Sequence, residues 1–98
     1  MNLNNFTFNT TSGIRFGNGT SKSCVSEISQ KLGQNILFIT DKDLMSLKLT
    51  EPTLIELNKL SSKVEVFQDV EADPSLKTLM NAIEIGKKNK ITGVIGFG

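Results

Sequence analysis

Histidine is absent from all 98 residues, and tryptophan and tyrosine are absent as well. The lack of an imidazole excludes histidine-based triads, the usual zinc sites and histidine general bases. The ten acidic side chains are scattered along the chain and form no carboxylate pair of the glycosidase kind. The sequence therefore predicts no catalytic residue and no metal ligand among these residues.

Cys24 is the only cysteine, so an internal disulfide is excluded and a reducing compartment is favoured. Its helical spacing with Val25, Ile28 and Leu32 predicts a small packed thiol rather than a reactive one. The N-terminus is rich in asparagine and lacks a basic-then-apolar leader pattern. From these features we expect a cytoplasmic protein.

The net charge is small, and long apolar runs are absent from the sequence. Eleven basic and ten acidic residues leave a net charge of +1, which provides no electrostatic footprint for nucleic acid. No run approaches the ~18 apolar residues that a membrane helix needs. We therefore expect no nucleic-acid partner and no membrane partner. A hydrophobic share of 38% is instead typical of a globular chain with one modest core.

The apolar pattern alternates between strand and helix periodicity. Phe6 to Phe16 alternate with polar residues and predict an N-terminal β-hairpin. A continuous apolar run within 35–40 predicts a central parallel strand that is covered on both faces. Helices are predicted at about 20–32, 50–60 and 74–88, and further strands at 64–67 and 91–97. This order indicates an α/β fold with a Rossmann-like parallel sheet and flanking helices.

The helix patterns carry more detailed predictions. Thr20 or Ser21 is expected to cap the first helix, and Gly33 to end it. The apolar stripes of the later helices are expected to pack on the sheet. The stripe residues are Leu54, Ile55, Leu57 and Leu60 in the second helix, and Leu76, Leu79, Met80 and Ile83 in the third.

Parallel sheets of this kind bind ligands at the carboxyl ends of their strands, here after Thr40, Gln68 and Phe97. At the first turn, Asp41 could accept hydrogen bonds from ribose hydroxyls and repel a 2′-phosphate. Aspartate after a strand more often caps the following helix, and Asp41 or Asp43 fits that role too. The residues alone leave both interpretations open.

The last turn reads Gly93-Val94-Ile95-Gly96-Phe97-Gly98, which is typical of a strand that enters a phosphate-binding loop. There is no Gly-Lys-Ser/Thr, so a P-loop enzyme has no support. Two earlier segments read Ser-Gly-Ile-Arg-Phe-Gly-Asn-Gly at 12–19 and Leu-Phe-Ile-Thr-Asp-Lys at 37–42. In this order and spacing, the three segments resemble the N-terminal region of the iron-containing (group III) alcohol dehydrogenases.

The resemblance implies that 1–98 is part of an N-terminal nucleotide-binding domain, with a helical metal-binding domain outside it. It implies NAD as cofactor, with NADP less favoured, Fe²⁺ or Zn²⁺ in the parent, and hydride transfer with a small alcohol or aldehyde. In the family, the residue matched by Asp41 faces the adenosine ribose, and the loop that begins at Gly98 wraps the pyrophosphate. We expect the 98 residues alone to be inactive, and a homodimer is compatible with the sequence.

The sequence departs from the family at the turn Glu71-Ala72-Asp73-Pro74, where the family often has a Pro-Asn-Pro-like segment. Asp73 matches the asparagine, but a carboxylate cannot donate a hydrogen bond. Asp73 is therefore either a cofactor contact or a helix N-cap.

Two other functions remain to be weighed. A receiver-like signalling domain would use Asp41, Asp43 and Asp69 as its acidic cluster. The predicted opening hairpin has no place in such a domain. A non-catalytic α/β binding module is neither supported nor opposed by the composition.

Overall fold

A computed structural model of the chain describes residues 16–61 and 63–98. Except for Phe16, the predicted N-terminal hairpin lies outside these residues, and the Phe16 side chain is fully exposed. In chain order the described elements are α1 Thr20–Ser23, α2 Val25–Leu32, β1 Asn35–Ile39, α3 Lys42–Ser46, α4 Glu51–Leu60, β2 Lys63–Phe67, α5 Leu76–Lys88 and β3 Gly93–Gly96.

The described strands form one sheet in the order β2-β1-β3, and β1 is parallel to both neighbours. Phe38 of β1 lies in register with Val66 of β2 and with Ile95 of β3. The prediction of a Rossmann-like parallel α/β sheet is confirmed, and so is the central position of the apolar strand. An extended apolar run is stable in this place because the sheet is covered on both faces.

One face of the sheet carries the main core. Phe38 and Leu57 are completely buried there and pack with Val25, so that α2 and α4 both cover this face. The ring of Phe97 lies 5.7 Å from that of Phe38, tilted by 35°. Burial of one such large apolar side chain contributes roughly 1.5–3 kcal/mol. This cluster therefore holds the helical layer on β1.

The opposite face is covered by α5. Side chains alternate across a strand, so Leu37 points away from the Phe38 core. A Cβ placed on Gly86 of α5 would lie 4.0 Å from Leu37 Cδ2, which puts α5 against this second face. The half-buried residues of α5 are Thr78, Ala82, Ile85 and Gly86, and the C-cap Asn89 is half-buried as well. The small residues Ala82 and Gly86 let the helix approach the sheet closely.

The prediction that the apolar stripe of α5 packs on the sheet is therefore wrong. All four of its members are exposed: Leu76, Leu79, Met80 and Ile83. The stripe of α4 is partly right, because Leu57 is buried and Leu54 half-buried, whereas Ile55 and Leu60 are exposed. Helical spacing identifies which residues share a side of a helix, but packing decides which side meets the sheet.

The first predicted helix is divided into α1 and α2 at Cys24, whose side chain is partly buried. The cap predicted at Thr20 or Ser21 is wrong, because Gly19 precedes α1 with a φ of 72° and no side chain caps the helix. The Thr20 hydroxyl instead donates to the Gly17 carbonyl at 3.0 Å. Helix α4 begins at Glu51, directly after Thr50, close to the predicted start, and Pro52 lies in its first turn.

Two glycines allow the end of α2 to lie close to the start of β3. Gly33 ends the helix, as predicted, with a φ of 84° that favours glycine. Gly93 lies directly against the end of α2, where an added Cβ would lie 2.7 Å from the Leu32 carbonyl oxygen. The close approach of α2 to β3 therefore depends on the missing side chain at Gly93.

We predict that Gly93→Ala lowers the free energy of unfolding by about 1–3 kcal/mol, because the new methyl group must displace backbone at Leu32. Gly96→Ala is the matched control in the same strand, since its Cβ would meet no atom within 4 Å. It should change the free energy by less than about 0.5 kcal/mol. Urea unfolding of the two variants and the wild type measures both values, and equal losses would contradict the packing argument.

Candidate cofactor site at the carboxyl ends of the strands

The three strand ends meet at one edge of the sheet. The Thr40 amide donates to the Phe67 carbonyl at 2.9 Å, and the Phe97 amide donates to the Ile39 carbonyl at 2.8 Å. These bonds continue the parallel pairing just beyond the strands. The turns that follow β1, β2 and β3 are thus held side by side, as a ligand that spans them would require.

Asp41 is the N-cap of α3. Its Oδ1 accepts a hydrogen bond from the Leu44 amide at 2.8 Å, and its backbone is extended, with φ −115° and ψ 167°. The capping interpretation of Asp41 is therefore confirmed. Among the described residues Oδ2 makes no hydrogen bond. One carboxylate oxygen fixes the side chain and the other remains able to accept hydrogen bonds.

A cleft of about 390 Å³ opens beside Asp41. Isolated β-bridge pairing brings Asp69, from the turn after β2, next to Asp41. The cleft is lined by Asp41, Lys42, Asp43, Gln68, Asp69, Val70, Glu71 and Ala72. Four carboxylates and a single ammonium give this cleft a negative character.

Lys42 is the only cation among the lining residues of this cleft. Its Nζ lies 3.4 Å from Asp69 Oδ1, and both side chains are largely exposed, at 72% and 65%. Such exposed pairs contribute little to stability, with a median of about 0–1 kcal/mol. In this structure the ammonium thus pairs with Asp69 rather than with Asp41, through an interaction that is weak.

Thr40 is a feature of this edge that the sequence interpretation missed. Its side chain is only 3% exposed, and its Oγ1 has no hydrogen-bond partner among the described residues. A buried hydroxyl without a partner is costly. The signal in the sequence is a hydroxyl residue at the end of a continuous apolar strand, directly before Asp41.

The turn before α5 is ordered by Glu71. Its Oε1 accepts from the Thr78 hydroxyl at 2.6 Å and from the Ser75 amide at 3.1 Å. These hydrogen bonds, that from Thr78 first, lower the pKa of Glu71 below its ordinary value. Ser75 Oγ accepts from the Thr78 amide at 3.2 Å, so that Ser75 is the N-cap of α5.

Asp73 does not cap α5. It is exposed, and the helix that was expected to begin near Pro74 begins at Leu76 with Ser75 as its N-cap. The interpretation of Asp73 as the N-cap is therefore wrong, because Ser75 and Glu71 satisfy the amides at this helix start. The cofactor role of Asp73 remains a prediction.

The glycines at the end of β3 face open space. A Cβ added to Gly96 or Gly98 would meet no atom within 4 Å. Packing within the described chain thus gives no reason for glycine at position 96, where the backbone stays open to a close neighbour. Gly96, the unpartnered Thr40 hydroxyl and Asp41 Oδ2 lie at the same edge of the sheet.

Within 16–61 and 63–98, no three cysteine, aspartate or glutamate side chains are grouped so that they could hold a metal ion. Asp41, Asp43 and Asp69, the acidic residues that a receiver-like domain would use, therefore form no such metal-binding group. No helix in the same ranges is long and apolar enough to cross a membrane.

The fold places the chain among α/β proteins with a Rossmann-like sheet whose strand ends form an open crevice. The sequence model of the iron-containing alcohol dehydrogenases matches residues 11–98. Because this match covers most of the chain, the chain belongs to the iron-containing alcohol dehydrogenase family. The family is one of oxidoreductases, so the receiver-like interpretation loses its basis.

Several curated proteins are similar to this chain. The hydroxyacid-oxoacid transhydrogenase of Mus musculus, a mitochondrial protein, is 29% identical over 87 residues, which are 89% of this chain and 19% of that protein. The rat protein of the same description is 28% identical over the same shares. A probable transhydrogenase of Dictyostelium discoideum is 26% identical over 91 residues, 87% of this chain and 17% of that protein.

The chain thus spans about a fifth of the length of the curated relatives that it matches. No solved structure matches it at a comparable level of significance. The relatives are described as mitochondrial, so the expected cytoplasmic location is wrong. The physical reason is that a lone thiol excludes only an internal disulfide and does not distinguish one reducing compartment from another.

We predict that Glu71→Gln destabilises the chain at neutral pH but not in acid. The folded-state pKa of Glu71 is depressed, so its contribution is complete above the ordinary glutamate pKa of about 4.3 and is lost as pH falls through the folded-state value. Unfolding free energies of wild type and variant should therefore differ at pH 7 and converge as the pH falls through the folded-state pKa of Glu71. Glu84→Gln, an exposed change on α5, is the matched control and should leave the unfolding free energy at pH 7 nearly unchanged. A constant gap for Glu71→Gln would contradict the assignment.

Proposed function

We propose that this chain is the cofactor-binding part of a longer parent oxidoreductase, and that the parent binds NAD across the three strand ends. The observation that carries the proposal is the position of Asp41. The cap bond to Leu44 fixes the carboxylate at the end of the central strand, and Oδ2 has no hydrogen bond among the described residues. This arrangement supports a contact from Oδ2 to the ribose hydroxyls.

The same carboxylate would discriminate against NADP. A 2′-phosphate placed at Asp41 would bring two negative charges together in a partly desolvated cleft. Asp43, Asp69 and Glu71 line the cleft and add to the repulsion. Lys42 pairs with Asp69 at 3.4 Å, and its single positive charge is outnumbered by the four carboxylates of the cleft. NAD is therefore the proposed cofactor, with NADP less favoured.

The pyrophosphate is proposed to lie at the glycine end of β3. Gly96 and Gly98 leave room for close approach of an anion to the backbone. The Thr40 hydroxyl is buried at this edge and has no hydrogen-bond partner among the described residues. Asp73, exposed in the turn after β2, is proposed as a further contact.

The catalytic half of the parent is proposed to lie outside these residues, in a helical domain that holds Fe²⁺ or Zn²⁺. When bound, NAD supplies a carbon that accepts or releases a hydride. The residues of this chain bind and orient it, and Asp41 sets its position. A small alcohol or aldehyde is the proposed substrate, a homodimer the proposed assembly, and the 98 residues alone are proposed to be inactive.

Hydroxyacid-oxoacid transhydrogenation is a second candidate activity, favoured by the descriptions of the relatives. In that reaction a hydroxyacid loses a hydride and a proton and becomes an oxoacid. A different oxoacid gains the hydride and the proton and becomes a hydroxyacid. A hydroxyacid is itself an alcohol, so both candidates use the same cofactor site. Incubation of the parent with a hydroxyacid and an oxoacid, without free NAD, separates them, because only a transhydrogenase turns over.

We predict that Asp41→Asn in the parent shifts the ratio of kcat/KM with NAD to kcat/KM with NADP toward NADP by about ten- to a hundredfold. Asparagine keeps the capping oxygen for the Leu44 amide and removes the charge. The ratio is measured at one ionic strength. Asp41→Gly, which removes both the cap and the charge, should shift the ratio in the same direction.

Asp43→Asn is the control for this prediction. It removes a neighbouring charge from the first turn of α3 but leaves the Asp41 cap intact. Its effect on the ratio should be much smaller than that of Asp41→Asn. If both Asp41 variants retain the wild-type ratio, Asp41 is only a helix cap and the ribose assignment fails.

A further inference from the structure

Asp69 lies in the turn after β2, and the fold brings it next to Asp41. An isolated antiparallel β-bridge pairs the backbones of Asp41 and Asp69 just beyond the parallel strands. The Asp69 side chain is exposed and lines the same cleft as Asp41. A second carboxylate, from a different turn, therefore lies beside the residue that carries the proposed ribose contact.

Lys42 is the cation that pairs with Asp69. Its Nζ lies 3.4 Å from Asp69 Oδ1, and no other lining residue of the cleft is a cation. Lys42 directly follows Asp41, so its side chain begins next to the proposed ribose contact. The side chain is 72% exposed and has a flexible four-carbon stem, so the ammonium can exchange one anionic partner for another.

A 2′-phosphate at Asp41 and the Asp69 carboxylate would compete for this ammonium. A phosphate monoester carries a charge of about −1.5 to −2 at neutral pH and has three acceptor oxygens. If Lys42 turns to the phosphate, Asp69 loses its counter-charge and adds to the repulsion from Asp41. If Lys42 stays with Asp69, the phosphate meets no cation of the cleft. Asp69 thus disfavours a 2′-phosphate in both arrangements, whereas the uncharged 2′-hydroxyl of NAD does not need the ammonium.

We propose that Asp69 is a second residue that determines cofactor specificity, and that it acts by pairing with Lys42 as well as by its own charge. The inference rests on the proposed binding of NAD at Asp41. The other lining carboxylates do not combine these features. Glu71 accepts hydrogen bonds from Thr78 and Ser75 instead.

Asp43 is the carboxylate of the cleft that serves as a comparison. It lines the same cleft and is exposed, but it makes no ion pair among residues 16–61 and 63–98. Asp43→Asn therefore removes one negative charge without releasing Lys42, whereas Asp69→Asn removes one negative charge and releases it.

The test measures the Kd values of NADH and NADPH for the full-length parent, freed of bound nucleotide, by titration of cofactor fluorescence. Asp69→Asn should lower the ratio of the NADPH Kd to the NADH Kd by about three- to fivefold, the upper end of what one exposed charge pair contributes. Asp43→Asn should change this ratio by less than about twofold. The effect of Asp69→Asn should shrink as salt is raised, because the charges involved are exposed.

A double-mutant cycle with Lys42→Met separates the action through Lys42 from the direct repulsion. In the Lys42→Met background, Asp69→Asn should produce only the small change seen with Asp43→Asn. The proposal is overturned if Asp69→Asn does no more than Asp43→Asn, or if its effect is equally large with and without Lys42. A shift with Asp41→Asn but not with Asp69→Asn would remove the role of Asp69 alone, whereas a wild-type ratio in both variants would remove the proposed cofactor site as well.

Discussion

Parallel pairing of β1 with two neighbours is the constraint on which the rest of this structure depends. Ile36 and Phe38 are completely buried, and Leu37 between them is only 4% exposed. A strand buried on both faces must be covered by helices on both sides, which fixes α2 and α4 on one face and α5 on the other. The same parallel direction brings the three strand ends, and with them Asp41 and Asp69, to one edge.

Asp41 has a structural role that is compatible with the proposed cofactor contact. An N-cap contributes about 1 kcal/mol to helix stability. The bond to Leu44 also holds the side chain in one orientation, so a ligand does not have to order it. Cap and cofactor contact appear as alternatives in the sequence, but a carboxylate has two oxygens. The geometry lets one oxygen serve each purpose.

Helix α5 has two faces that could each pack. The four large residues Leu76, Leu79, Met80 and Ile83 give the stronger apolar signal, yet Ala82 and Gly86 face the sheet. Small residues permit close approach of the helix to a sheet, and Gly86 meets Leu37 at contact distance. Use of the smaller face leaves the larger side chains exposed.

The sequence by itself determined the fold class, the central strand and the family, because each rests on local patterns: a continuous apolar run, glycine turns and the Thr-Asp-Lys segment. It also identified Asp41 as the residue at the first strand end. Only the tertiary structure decided that Ser75 and Glu71, rather than Asp73, order the start of α5. It alone showed the pairing of Lys42 with Asp69, the buried Thr40 hydroxyl and the side of α5 that meets the sheet. These features depend on contacts between residues distant in sequence or on competition among nearby polar groups, which local periodicity does not encode.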